Sequence, residues 1–279
     1  MGKKARQKNR ANKRERMPFV ARTFEGLPGE ADWVALREFV PSATARVTLA
    51  AGGDVQICSL LPGGGAGIRR PDGDAWVGLQ VSHNFGDVSR DLAHVIELAG
   101  ETEPANPVVM SDPGVGPRLQ DVVDLSSSFD VTVHEGFDYW LEGVDASEDS
   151  AALLEEANDS VAPTVRLSSV DGAYWTEMAG KRWLRWVLTH DDADVLDALA
   201  RLQAAGDDRL IDDSVLIGHF RAHGLIVPVW EFDVEADALE DAAAAFDQRL
   251  TAALEDDAPF TAEQRSAKQN LLSRQVAIR

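Results

Sequence analysis

The chain has 279 residues, 44% of them hydrophobic, and carries 47 acidic side chains against 27 basic ones, a formal net charge of −20. This composition excludes a wholly disordered chain, and an acidic body repels bare phosphate backbones. The single cysteine, Cys58, excludes an intramolecular disulfide, and no apolar run has the roughly 18 residues that a membrane span needs. We therefore expect a cytoplasmic protein with no membrane partner.

The beginning of the chain reverses this charge. Residues 1–16 hold eight basic side chains and one acid, a net charge of +7, which leaves −27 for the rest of the chain. Because residues 1–17 have no apolar face, we expect a disordered basic arm. Such an arm binds phosphates non-specifically, which predicts contact with RNA or the ribosome. The residues concerned are Lys3, Lys4, Arg6, Lys8, Arg10, Lys13, Arg14 and Arg16. Two alternatives stay open: the arm folds back on the acidic body, or it only keeps the chain in solution.

Residues 18–150 are predicted to form a first α+β domain with a leading helix. Residues 30–40 have the apolar spacing of a helix that buries one face. Residues 45–49 and 54–60 alternate as strands do, and we expect Cys58 on the second strand to be buried and unreactive.

A glycine-rich stretch ending at Arg70 follows these strands. It lacks the Gly-Lys-Ser/Thr ending of a phosphate-binding loop. We therefore predict a long flexible hairpin loop, in which Arg69 and Arg70 remain available to an anion.

Two segments of the chain resemble each other. Residues 73–95 and 180–202 align at an offset of 107, with seven of 23 positions identical. Each predicts a strand that ends at a histidine, a polar turn and an amphipathic helix. We therefore predict an α+β fold of two related β-β-β-α-α-β-α halves produced by internal duplication. Coincidence between two strand–helix units of similar composition is the alternative.

Residues 151–257 are predicted to form the second copy, and residues 258–279 a C-terminal helix that Thr261 and Gln264 begin with a capping box. Within the copy, Pro228 indicates an edge strand or a bulge. The predicted strands lie near 164–168, 172–178, 182–189 and 225–232, and the predicted helices near 192–205, 212–223 and 237–255.

The candidate site residues follow from the repeat. His83 and His190 end equivalent strands, so in a pseudo-twofold arrangement they face a shared cleft, to which Asp191 adds a carboxylate. The alternative is a turn whose aspartates bind free backbone N–H groups at a helix start. His219 and His223 have the i, i+4 spacing of metal ligands on a helix. We favour a surface helix there and predict no metal.

No catalytic signature accompanies these residues. The chain contains neither a Gly-x-Ser-x-Gly elbow nor a dinucleotide-binding fingerprint after a strand. We therefore predict no cofactor and lean against an enzyme.

Two runs of the chain resemble a known family. Residues 17–45 and 220–233 are similar to an actinobacterial family of uncharacterised cytoplasmic proteins, classified as a domain of unknown function. The resemblance covers nearly the whole chain, including its basic start. It implies a cytoplasmic location and assigns no catalytic residue.

These observations together predict a non-enzymatic binding or adaptor protein. The basic arm contacts RNA or the ribosome, while the acidic body is a protein-interaction module whose partner is a basic protein. The alternative is an enzyme or small-ligand-binding protein with a cleft between the copies, near His83 and His190.

Overall fold

The structure is a computed structural model that describes residues 18–82, 84–143 and 148–276. The basic arm and His83 lie outside the described residues. Within these ranges the chain forms two β-sheets, of six and five strands, with seven α-helices. The predicted mixed α+β class is therefore confirmed.

The first sheet contains short strands in the order β5-β3-β4-β2-β1-β6. Its β2 and β4 run parallel, while every other neighbouring pair is antiparallel. The strands are β1 (Ala43–Thr48), β2 (Asp54–Cys58), β3 (Gly67–Arg69), β4 (Ala75–Gly78), β5 (Asn106–Val108) and β6 (Val131–Val133).

The second sheet is antiparallel throughout, in the order β10-β11-β9-β8-β7. Its strands are β7 (Thr164–Arg166), β8 (Ala173–Met178), β9 (Lys181–Trp186), β10 (Val215–Ala222) and β11 (Leu225–Phe232). Two of its hairpins have two-residue turns in the left-handed region, Ala179-Gly180 and His223-Gly224. Such turns match the twist of the strands they join.

The helices complete the fold. They are α1 (Glu30–Glu38), α2 (Val88–Glu101), α3 (Leu119–Val122), α4 (Glu148–Asn158), α5 (Asp192–Ala205), α6 (Glu240–Leu254) and α7 (Ala262–Ser273). The predicted capping box at Thr261 and Gln264 begins α7, as expected. Three short 3-10 helices lie at Pro62–Gly64, Asp138–Leu141 and Ala236–Leu239.

Helix α1 joins the two sheets into one core. Its Trp33 and Leu36 are fully buried in a cluster that includes β1, β2 and α2, as well as Tyr174 and Phe220 from the second sheet. The other face of the second sheet packs against α5, α6 and α7 in a separate core. A small aromatic cluster around Trp140 covers β2 and β4.

A buried ion pair also connects the halves. Asp32 of α1 is 3% exposed and accepts two hydrogen bonds of 3.0 Å from Arg166 of β7. The hydroxyl of Tyr174 donates a third, of 2.7 Å. A carboxylate so fully bonded remains stable in a buried position because its lone pairs are satisfied.

The helix predicted near 212–223 is wrong, since these residues contain strand β10. The tight turn at His223-Gly224 folds β10 directly onto β11, so the backbone groups pair across the hairpin. A bulge between Leu216 and Gly218 interrupts the alternation of side chains along β10, so the sequence lacks a regular strand pattern there.

The edge position predicted from Pro228 is also wrong, because β11 lies between β10 and β9. Its ladder with β9 covers Val229–Phe232, and a separate bridge joins Ile226 to Leu188. Pro228 falls in the gap between these pairings, where its missing N–H removes no ladder hydrogen bond. The bulge expected beside it lies instead on β10.

The long flexible loop predicted before Asp74 is in fact structured. It contains the 3-10 helix Pro62–Gly64 and strand β3. Arg70 is 6% exposed, donates to the carbonyl oxygens of Trp140 and Glu142, and lies 4.3 Å from the Trp76 ring centre. Arg70 is therefore engaged within the fold and is not free for an anion.

The two halves differ in topology. The second half has the order β-β-β-α-β-β-α, because a strand replaces the predicted second helix, whereas the first half contains a parallel strand pair. The duplication and the domain boundaries at 150 and 257 remain predictions. Helix α4 crosses the first boundary and packs through Leu154 and Ala157 against the aromatic cluster of the first half.

Candidate functional site

The basic residues of the body are mostly engaged by the body itself. Each of the following arginines and lysines lies within ion-pair distance of a carboxylate, so its charge is compensated locally. The pairs are Arg22–Glu30, Arg46–Asp74, Arg90–Glu97, Arg118–Asp87, Arg166–Asp32, Lys181–Glu231, Arg182–Glu177, Arg201–Asp256, Arg221–Asp192 and Lys268–Asp197. The eight predicted nucleic-acid-binding residues of the arm lie outside the described part of the chain.

His190 lies beside an open cleft of about 340 Å³. The chain leaves β9 after Trp186, follows the cleft wall as far as His190 and then enters α5. Trp186, Val187 and Leu188 are buried below it, whereas His190 is exposed. The cleft thus has an apolar floor and a polar mouth, where Ser168, Ser169, Asp171, Thr189 and Asp247 also lie.

Asp191, the second described residue of the predicted cleft, caps a helix. Its side chain accepts a hydrogen bond of 2.9 Å from the backbone N–H of Ala193 at the start of α5. This is the turn that the sequence offered as the alternative reading, and it occupies one carboxylate oxygen. Asp191 therefore supports the geometry of the cleft rim.

Hydrogen bonds fix the loops around the cleft. Glu240 accepts from the backbone N–H groups of Ser168 and Ser169 at 2.8–3.1 Å. Burial raises the pKa of Glu240, but these bonds outweigh it and leave the pKa below its usual value. Arg22 donates to the carbonyl oxygen of Thr189 at 2.9 Å, which attaches the opposite rim to the segment before α1. These bonds fix the loops that carry Ser168, Ser169 and Thr189 at the cleft, whose volume is sufficient for a small polar molecule.

The two residues that precede the position equivalent to His190 line a different groove. Val81 and Ser82, which the repeat aligns with Leu188 and Thr189, line a groove of about 230 Å³ with Phe85 and Met110. Because His83 is not described, a shared cleft of His83, His190 and Asp191 stays a prediction.

The pair His219 and His223 does not form a metal site. His223 lies in the hairpin turn and bonds to Thr23 at 3.0 Å and Glu38 at 2.9 Å. His219 is 1% exposed, and neither ring nitrogen has a partner. Burial lowers the pKa of His219, which keeps its ring neutral. Across residues 18–82, 84–143 and 148–276, no three His, Cys, Asp or Glu side chains gather as a metal would require.

Cys58 is buried, as expected, and burial raises the pKa of its thiol, so it is a poor nucleophile. In the described part of the chain, no helix is long and apolar enough to cross a membrane.

The comparison with family models gives the identity of the chain. A model described as a family of unknown function, DUF5926, matches residues 23–279. The chain belongs to the DUF5926 family. The match begins after the basic arm, so it covers the acidic body and assigns it no activity. No curated protein and no solved structure matches this DUF5926 chain.

Proposed function

We propose that this DUF5926 protein is a non-enzymatic binding or adaptor protein. Its basic arm contacts RNA, with ribosomal RNA as the first candidate, and its acidic body contacts a basic protein. The supporting observation is the division of charge, +7 in residues 1–16 against −27 in the rest. Such a division keeps the body away from phosphates while the arm attracts them.

The ion pairs of the body strengthen this proposal. Many of its arginines and lysines are held by neighbouring carboxylates, so transferring one to a phosphate breaks an existing contact. Within the arm itself one acid, Glu15, stands among eight cations, so the sequence of the arm compensates few of its own charges. Phosphate affinity is therefore assigned to the arm.

Ribosome co-sedimentation of the full chain tests the role of the arm. A variant with all eight arm cations changed to Gln is expected to lose sedimentation with ribosomes, because counterion release is abolished. For the wild type, the logarithm of the binding constant should fall by about 0.7 per phosphate contact per tenfold rise in salt. A control with the arm lysines changed to Arg keeps the charge and should bind as before.

Equal co-sedimentation of the Gln variant would overturn the proposal. Nuclease treatment before a pull-down with purified protein separates the two contacts. Partners held through RNA are lost with nuclease, whereas a basic protein held by the acidic body remains and is released by salt.

The cleft at His190 supports a second candidate, an enzyme or small-ligand-binding protein. Its volume of about 340 Å³ and its hydroxyl, carboxylate and imidazole lining suit a small polar ligand. A library of small polar fragments can be screened through the Cε1–H resonance of His190, with His190→Asn as the assignment control. If no fragment moves this resonance, the candidate is removed.

A common origin of the halves remains part of the proposal, limited to the strand–helix unit. Helices α2 and α5 each begin with a capping aspartate, Asp87 and Asp191, although the repeat aligns Asp87 with Asp194, so α5 begins three residues earlier in the alignment. The identical positions of the repeat in these helices are buried in both halves: Val88 and Val195, Leu92 and Leu199, Ala93 and Ala200. We infer that duplication of this unit preceded the divergence of the surrounding strands.

A further inference from the structure

Three buried side-chain atoms in the described first half have no hydrogen-bond partner, and two of them, on Asp91 and Arg37, lie on residues that line one cavity. Asp91 of α2 is 3% exposed; its Oδ2 accepts from the backbone N–H of Phe85 at 2.9 Å, but its Oδ1 has no hydrogen bond. The guanidinium of Arg37 on α1 donates through Nη1 to the Leu79 carbonyl, while its buried Nε has no hydrogen-bond acceptor. An unpaired buried acceptor and donor cost stability, so their retention points to a function.

Arg37 and Asp91 line the same enclosed cavity. The remaining wall is largely apolar, with Val88, Leu92 and Val95 of α2 among its residues. About 10 Å³ is free for the centre of a water-sized group, which is room for one non-hydrogen atom. The cavity therefore combines a polar end with space for a single atom.

A groove of about 230 Å³, lined by apolar side chains together with Ser82 and Gly64, lies beside this cavity. Ala66, Val81 and Met110 line both spaces, so they form the wall between them. Phe85, which is 37% exposed, stands at the groove. Met110 is half-buried and unbranched, and rotation of such a side chain is a low-cost way to connect the two spaces.

The glycine-rich stretch forms one side of the groove. A Cβ added to Gly78 would lie 2.5 Å from the carbonyl oxygen of Gly65, so β4 and this stretch approach more closely than side chains permit. Gly64 has a left-handed backbone and lines the groove. The glycines thus shape one wall of the groove, which gives this motif a role other than phosphate binding.

We propose that this groove and cavity form a binding site for a small apolar alcohol. The apolar body occupies the groove, and the hydroxyl enters the cavity, where it donates to Asp91 Oδ1 and accepts from Arg37 Nε. A hydroxyl is selected because one oxygen both donates and accepts. An amide or a carboxylate needs more atoms than the cavity holds.

The charges at the cavity also favour a neutral hydroxyl group over a charged group. Burial, aided by the nearby Asp87 charge, raises the pKa of Asp91, and burial lowers the pKa of Arg37. Arg37 and Asp91 already place one charge of each sign at this cavity, so a further carboxylate or ammonium group would lose its hydration while facing a like charge. The site shares no lining residue with the His190 cleft and uses no residue of the arm, so its failure leaves the proposed function unaffected.

Methyl NMR on the full chain labelled at methionine methyl groups tests the site, with hexan-1-ol as the probe. The Met110 resonance, assigned with Met110→Leu, is expected to shift saturably. Hexanoate and hexylamine match the probe in chain length, and they should bind at least tenfold more weakly. Phe85→Ala should weaken hexan-1-ol binding at least threefold, whereas Leu125→Ala, an exposed apolar position that does not line the groove, should not.

Three results would contradict the proposal, each in a different way. Equal shifts at Met110 and at Met178 of β8, without saturation, would show unspecific partitioning of the alcohol and overturn the proposal. Binding of hexanoate as tight as that of hexan-1-ol would reject the hydroxyl as the recognised group. The absence of any shift at Met110 would show that hexan-1-ol does not enter the groove, and it would also overturn the proposal.

Discussion

The strands of the two sheets are paired and connected in different ways. The second sheet is antiparallel throughout, and tight two-residue turns close two of its hairpins. The first sheet pairs β2 with β4 in parallel across an intervening segment that itself supplies β3. The regular hairpins bring large aromatic rings together in one core, whereas the crossed connection of the first sheet places the glycine-rich stretch beside a groove and a small cavity.

The aromatic packing illustrates this contrast. In the second core the rings of Trp186, Trp230 and Phe246 all lie within 5.2–6.3 Å of one another. In the first half, Trp76 lies at the edge of a small cluster and contacts Arg70 and Tyr139. The two halves should therefore respond differently to loss of a large side chain.

The largest effect is expected from Trp230→Ala. Trp230 is fully buried and donates from Nε1 to the Asp208 carbonyl at 2.9 Å. Its removal should lower the free energy of unfolding by about 3–5 kcal/mol, because the surrounding rings cannot close the cavity. Trp76→Ala, at 9% exposure, should cost about 2 kcal/mol less, since the site can collapse. Denaturant unfolding of both variants measures the difference, and equal losses would contradict it.

Two glycine substitutions should change the free energy of unfolding in opposite directions. Gly218 of β10 has a φ of 155°, and an added Cβ would lie 2.2 Å from the Arg274 carbonyl oxygen. Gly218→Ala should therefore displace residues 274–276, which pair with β10, and lower the free energy of unfolding by about 1–3 kcal/mol. Gly100 of α2 is exposed with no neighbour for a Cβ, so Gly100→Ala should stabilise by about 0.5–1 kcal/mol. Thermal unfolding measures both changes, and the same sign in both variants would refute the assignment.

The smallest expected effect is on the pH dependence of the free energy of unfolding. Burial lowers the pKa of His219 in the folded chain, so the unfolded chain binds the proton more readily. The stability from neutral His219 is therefore present above the unfolded pKa of about 6.5 and is lost as pH falls through the lower folded value. His219→Leu should flatten the decline of unfolding free energy between pH 7.5 and 5.

His134 of the first half is the matched comparison for His219. Burial lowers the pKa of His134 as well, but its Nε2 lies 2.8 Å from Thr44 Oγ1, so it is already partnered. His134→Leu should flatten the pH dependence less. A larger effect of His134→Leu than of His219→Leu on the pH dependence would contradict this prediction.

Several elements were predictable because their signals are local. The predicted ranges 192–205 and 225–232 coincide with α5 and β11, and Thr261 with Gln264 marks the start of α7. A helix start and an apolar run each depend on residues within a few positions. The part of the candidate site that could be predicted was likewise local, namely the turn at His190 and Asp191.

The sequence by itself determined the charge division, the buried helix faces and the turn that begins α5. Only the tertiary structure decided that residues 215–222 form a strand, because β11 and the C-terminal segment supply its backbone partners. It also decided that Arg37 and Asp91, on separate helices, line one cavity. These features depend on contacts between residues far apart in the chain, for which local composition carries no signal.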